Sequence, residues 1–199
     1  MTESNEEEVW QAKIREHLVR SAALKCETAA VASKSILEAA HLISECYRLQ
    51  KKVLICGNGG SAADAQHMAA EFMNRLRPDI ERPGLPAIAL TTDTSFLTSY
   101  ANDFGYAGVF ERQVLALGSS NDVLIGISTS GNSENVLRAV EAARGKDIRT
   151  VGLSGEGGKL ASAVECAVVV PGRDTQHVQE TLLALEHIIC ALVEELMFM

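Results

Sequence analysis

Val53-Leu54-Ile55-Cys56-Gly57-Asn58-Gly59-Gly60-Ser61-Ala62-Ala63-Asp64-Ala65-Gln66-His67 is the stretch on which the fold turns. Four apolar residues without a charge read as a strand buried on both faces, as strands of a parallel sheet are. Three glycines follow within four positions, and then an alanine-rich run with helical spacing over Ala62 to Leu76. Glycine lets a chain turn tightly and come close to a ligand. Free amides at a helix start hold an anion. Taken alone, the loop reads equally well as an ordinary tight turn between strand and helix.

Four more short apolar runs repeat the theme downstream. Ala87-Ile88-Ala89-Leu90, Val123 to Ile127, Thr150 to Leu153 and Ala167 to Val170 each stop at Ser, Thr, Gly, Asp or Pro. Further helical patterns cover Ser133 to Arg144 and Gln176 to Leu196. Five strands alternating with helices predict a doubly wound α/β domain with a parallel sheet. Right-handed crossovers make the flavodoxin-like order 2-1-3-4-5 the expected one. Upstream, Glu6 to Arg48 carries helical periodicity without Gly or Pro and reads as two helices. Residues 1–50 are therefore expected as a helical extension of a core at 51–199, the whole forming a single domain. Long amphipathic helices at both ends suit an oligomer.

Composition narrows the function. With 199 residues and a net charge of −8, the chain is one domain in size and offers no general nucleic-acid or anionic-membrane surface. A small anion is still accommodated, because amides bind phosphate locally. The five cysteines are odd in number, scattered, and form no C-x-x-C pair. They read as reduced thiols of a cytoplasmic protein, not as a disulfide framework or zinc finger. No apolar signal core or membrane-spanning run is visible.

The chemistry concentrates at strand ends, where such sheets bind ligands. After the third strand, Ser128-Thr129-Ser130-Gly131-Asn132-Ser133 sets four hydroxyls before a helix. One would serve as an N-cap; four together with helix-start amides suit a phosphate. A nucleotide cofactor is not implied. Gly157-Gly158-Lys159 lacks the rest of a phosphate-binding P-loop, and the glycine loop has no acidic residue at the ribose offset, the first near a strand end being Asp93. His67 and Glu71 lie four apart and share a helix face, either as a surface ion pair or as part of a site. Gln179, Glu180 and His187 interrupt the apolar pattern of the last helix, where a histidine is more often a core residue and Glu180 and Glu186 read as solvated.

The run Cys56 to Glu71, with Asn102-Asp103-Phe104-Gly105 and Gly126 to Ser133, resembles the signature of the phosphoheptose isomerases. The serine-rich loop alone marks the wider sugar isomerase (SIS) superfamily. The resemblance runs from about residue 10 to the C-terminus. It implies a homotetramer with active sites between subunits, converting sedoheptulose 7-phosphate to D-glycero-D-manno-heptose 7-phosphate for bacterial surface polysaccharide. By position, it implies Glu71 as catalytic base and His187 as catalytic acid, and a zinc site at His67, Glu71, Gln179 and His187. It also implies substrate contacts at Ser61, Ser128, Thr129, Ser130 and Ser133, joined by Asn58, Gly59, Gly60, Gln179, Asp93, Thr94 and Arg75. A non-catalytic relative that binds the bacterial replication initiator lacks the catalytic glutamate, so Glu71 and His187 favour an enzyme.

Those roles make chemical sense. Ketose-to-aldose isomerisation moves a proton between C1 and C2 through an enediol, which needs a carboxylate base and a second group serving the oxygens. A histidine titrates in the useful range, and zinc would polarise the carbonyl. Gln179 and His187 are about 12 Å apart along a helix, so both would have to reach inward to share one ion. Two positions depart from the family pattern: Leu182 where many members have His, and Gln176 where an acidic residue is common.

Overall fold

A computed structural model describes residues 3–199. One helix, α1 (Glu3–Arg48), precedes β1 (Val53–Cys56), α2 (Gly60–Met73), β2 (Ala87–Ala89), α3 (Thr94–Phe104), α4 (Val109–Leu117), β3 (Val123–Ser128), α5 (Glu134–Arg144), β4 (Arg149–Gly155), a short α6 (Leu160–Ala163), β5 (Cys166–Val170) and α7 (Thr175–Phe198). The strands form one parallel sheet in the order β2-β1-β3-β4-β5, as expected.

Both sheet faces are covered, and side chains alternate between them along each strand. Val53, Ile55, Val123, Ile125 and Ile127 pack under α1, α2 and α7. Leu54, Cys56 and Leu124 face the opposite layer, built from α3 to α6. Register pairs Cys56 with Gly126 and Ser128 with Ser154. The loops that follow β1, β3 and β4 therefore emerge side by side at the carboxyl edge, the edge where ligands bind in this architecture.

One expectation is corrected. The N-terminal extension is a single helix of 46 residues, not two, because nothing in it breaks the backbone ladder. The run between the second and third strands holds α3, a 3-10 turn at Tyr106–Gly108 and α4. Burial of α1 is concentrated in its second half: Ala32, Ile36, Ala39, Ala40 and Ile43 face the core, while Val9, Trp10, Ile14 and Leu18 lie exposed.

Candidate active site

The glycine loop is compact for a geometric reason. A Cβ on Gly57 would stand 2.6 Å from the main-chain oxygen of Ser61, so a side chain there would push the loop off the helix. Gly59 takes φ +57° at the N-cap of α2 and has open space beside it. Asn58 and Asn135 exchange amide hydrogen bonds in both directions, each 2.8 Å, tying this loop to the start of α5. Asn135 is buried and was not singled out by sequence, since a lone Asn at a helix start reads as a cap.

Beside it, Ser133 occupies the N-cap of α5, yet its hydroxyl pairs with that of Ser128 at 2.9 Å and makes no capping bond. The Glu134 and Asn135 amides at the start of α5 thus receive no capping bond, whereas the Val136 amide donates to the Ser133 carbonyl at 3.1 Å and to Asn135 Oδ1 at 3.0 Å. Ser130 is exposed and its hydroxyl accepts from the Asn132 amide at 3.2 Å; Thr129 is half-buried next to it. A cavity of about 330 Å³ opens here, lined by Asn58, Tyr106, Ser133 and Asn135 among others. A larger cleft of about 420 Å³ lies at the opposite, amino-terminal edge of β4. Its Arg149 is neutralised by Glu45 and Glu165, and it is at the wrong edge of the sheet for a ligand of this fold, so the smaller cavity is the better candidate.

α2 and α7 run side by side in the same direction, and polar groups bridge them in successive rungs. At the first, the Ser61 hydroxyl donates to Gln179 Oε1 at 3.1 Å, and the Gln179 amide donates to Asp64. At the second, His67 Nε2 and His187 Nε2 stand 2.7 Å apart, so one ring must carry the proton that bridges them. Glu71 Oε1 lies 3.6 Å from the same His67 nitrogen. Two catalytic candidates and one ligand candidate, Glu71, His187 and His67, are brought together; Gln179 is engaged one rung away.

Two imidazole nitrogens and a carboxylate oxygen suit zinc in kind. Their present spacing is that of a hydrogen bond: two nitrogens on one tetrahedral zinc stand about 3.3 Å apart. Among the described residues no set of three or more His, Cys, Asp or Glu side chains stands in ligand geometry.

Other positions fall outside this cluster. Asp93 caps α3 through the Phe96 amide at 2.9 Å, with Thr94 exposed beside it. Arg75 is exposed past the end of α2, its nearest polar partner the Pro78 carbonyl at 3.4 Å. Leu182 is buried in the apolar core and Gln176 is exposed on the first turn of α7. The expectation that Glu186 is solvated is corrected. It is 1% exposed, both its oxygens lack a partner, and burial, with the Asp64 charge second, pushes its carboxyl up to about 9. Asp64 is buried too, and burial raises it against the Gln179 hydrogen bond and the His67 charge. Glu180 instead meets His17 of α1 at 2.7 Å. All five cysteines are free thiols, four of them buried. Among the described residues no helix is long and apolar enough to cross a membrane.

A five-stranded parallel sheet with a glycine loop and a hydroxyl loop at its carboxyl edge defines a protein of the SIS class, and residues 18–155 match the SIS domain family. Phosphoheptose isomerase of Thermodesulfovibrio yellowstonii is 51% identical over 164 residues, covering 82% of this chain and 81% of that protein. The Helicobacter pylori (strain Shi470) enzyme of the same name is 54% identical over 155 residues, covering 77% and 80%. The solved phosphoheptose isomerase of Neisseria gonorrhoeae superposes with a TM-score of 0.88 at 42% identity, covering 94% of this chain and 99% of that one. The chain belongs to the phosphoheptose isomerase family and is an isomerase.

Proposed function

We propose that this protein converts sedoheptulose 7-phosphate to D-glycero-D-manno-heptose 7-phosphate through an enediol, feeding the heptose of bacterial surface polysaccharide. The observation that carries the reading is the meeting of the Glu71 carboxylate with the His67 and His187 imidazoles across α2 and α7. Glu71 removes a proton from C1 of the ketose and returns it to C2. His187 gives a proton to the C2 oxygen and takes one from the C1 hydroxyl, so the electrons shift within the substrate and no oxidant is needed. Ser61, Ser128, Thr129, Ser130 and Ser133, with the first amides of α5, hold the phosphate. Asn58, Gly59, Gly60 and Gln179 line the sugar, with Asp93, Thr94 and Arg75 as outer contacts.

Zinc would be held by His67, Glu71 and His187, and by Gln179 once it releases Asp64. When bound, it supplies Lewis-acid polarisation of a carbonyl. Zinc added to the protein should shift the His67 and His187 ring signals in an NMR titration, and His67→Ala should remove the response. Unmoved signals would exclude the site.

The working form is a homotetramer of single-domain chains with active sites between subunits. Two features support this: Glu71 is about 16 Å along α2 from Gly60, and the first half of α1 leaves Trp10, Ile14 and Leu18 uncovered. Five unpaired thiols suit a reducing cytoplasm. The decisive variant is Glu71→Gln. Turnover should fall on the order of 10³-fold, with assembly and phosphate binding kept; near-normal turnover would remove Glu71 from the role of base.

A further inference from the structure

Three segments of chain converge on the last turn of α2. The side chains of Arg82, from the segment between α2 and β2, and of Glu194 of α7 are 0% and 1% exposed. Arg82 Nε donates to Glu194 Oε1 at 2.9 Å, and Nη2 lies 2.9 Å from the same oxygen. The guanidinium also donates to the main-chain oxygens of Glu71 (Nη2, 2.8 Å) and Phe72 (Nη1, 2.8 Å). Glu194 in turn accepts from the amides of Leu76 at 2.9 Å and Arg77 at 3.1 Å.

A helix's last carbonyls have no intrahelical donor and carry the negative end of its dipole. Arg82 answers both needs, Glu194 neutralises Arg82, and the chain leaving α2 is tied to Glu194. Buried charges persist where they are paired and hydrogen-bonded throughout, as these are. The residue whose carbonyl is gripped is Glu71. Seven positions separate His187 from Glu194 on α7, two turns, so both lie on the face turned to α2.

We propose that Arg82 and Glu194 are positioning residues for proton transfer: their buried clamp fixes the turn of α2 that carries Glu71 against the face of α7 that carries His187. The inference rests on Glu71 as base. It also gives the α2–α7 contact a third polar rung, after Gln179 and His187, and it explains why a charge pair stands where an apolar pair would pack.

The test removes both partners together, because deleting one strands a buried charge and costs stability for that reason alone. Arg82→Met/Glu194→Leu, in the full-length protein, should keep its fold and assembly by circular dichroism and light scattering. Its kcat for sedoheptulose 7-phosphate should fall about 10-fold to 100-fold, the scale of a misplaced catalytic group, with KM within about twofold of the parent. Wash-in of deuterium from D2O at the substrate carbon should slow in step with kcat. Parent-like kcat and wash-in in the folded double variant would overturn the proposal. Should that variant not fold, Arg82→Lys serves in its place: both charges kept, the guanidinium's grip on the Glu71 and Phe72 carbonyls lost, kcat lowered with KM unmoved, and an unchanged kcat overturning the idea equally. Glu71→Gln in the same assay separates the two levels. An inactive Glu71→Gln beside a fully active double variant sinks the clamp alone, whereas an active Glu71→Gln sinks the assignment of the base beneath it.

Discussion

Glu71 and His187 sit 116 positions apart in the chain and meet only because α2 and α7 lie parallel. Glu71 stands in a motif, and His187 was pointed to only by the family resemblance; their meeting was not legible, since helix spacing shows which residues share a face and not which face finds which neighbour. Glu186 is the clearest case. By composition it is one more acidic residue on a helix, and only tertiary packing takes it out of water, where it feels the charge of Asp64 on α2. Its carboxyl has a folded value of about 9 against an ordinary 4.5. Between those values the folded chain keeps a proton that the unfolded chain has released, so stability falls as pH rises through that window and levels off above it. Glu186→Gln should remove the slope. The unfolding free energy of the variant should match the parent near pH 4.5 and exceed it increasingly toward pH 9, by up to about 1.4 kcal/mol per pH unit, with the melting temperature rising in step. Parallel melting curves across that range would show that Glu186 is paired or solvated in solution.

At the scale of elements, β1, its glycine loop and α2 were readable because each obeys a strong local rule: an uncharged apolar run, three glycines, an alanine-rich helix. α3 was not, because Thr94–Phe104 buries no residue fully: Leu97, Tyr100 and Ala101 pack only partly against the core, and Thr, Ser and Asn, weak helix formers, fill the positions between them. The α1 extension was misdivided for the opposite reason, its uniform pattern offering no stop signal at either side of a supposed break. The glycine loop gives a sharp element-level prediction. Gly57→Ala places a methyl 2.6 Å from the Ser61 carbonyl, and backbone cannot yield there as a flexible side chain would. The loop must shift away from the start of α2, lowering the melting temperature by several degrees, an overpacking cost of about 1–3 kcal/mol, and raising KM for the sugar phosphate. Wild-type KM and stability in Gly57→Ala would mean that the loop is looser than this packing.

For the whole molecule, sheet order followed from the sequence through crossover handedness, but nothing local in the chain says what covers the projecting half of α1. Trp10, Ile14 and Leu18 recur every four residues and are 60%, 61% and 63% exposed in the single chain. On a helix about 69 Å long, an apolar face of that kind is what the proposed homotetramer would cover. Ile14→Asp/Leu18→Asp should dissociate the assembly in light scattering and lower turnover with it; an unchanged mass would place the subunit contacts elsewhere. The assembly matters because a complete site is proposed to need more than one chain. The first measurement is therefore made on the assembled protein: sedoheptulose 7-phosphate in D2O, followed by proton and phosphorus NMR with and without zinc. The isomerase yields the aldose heptose 7-phosphate with deuterium entering at the exchanged carbon. Ketose that stays unconverted and unlabelled in both conditions, beside folded and assembled protein, contradicts the assignment.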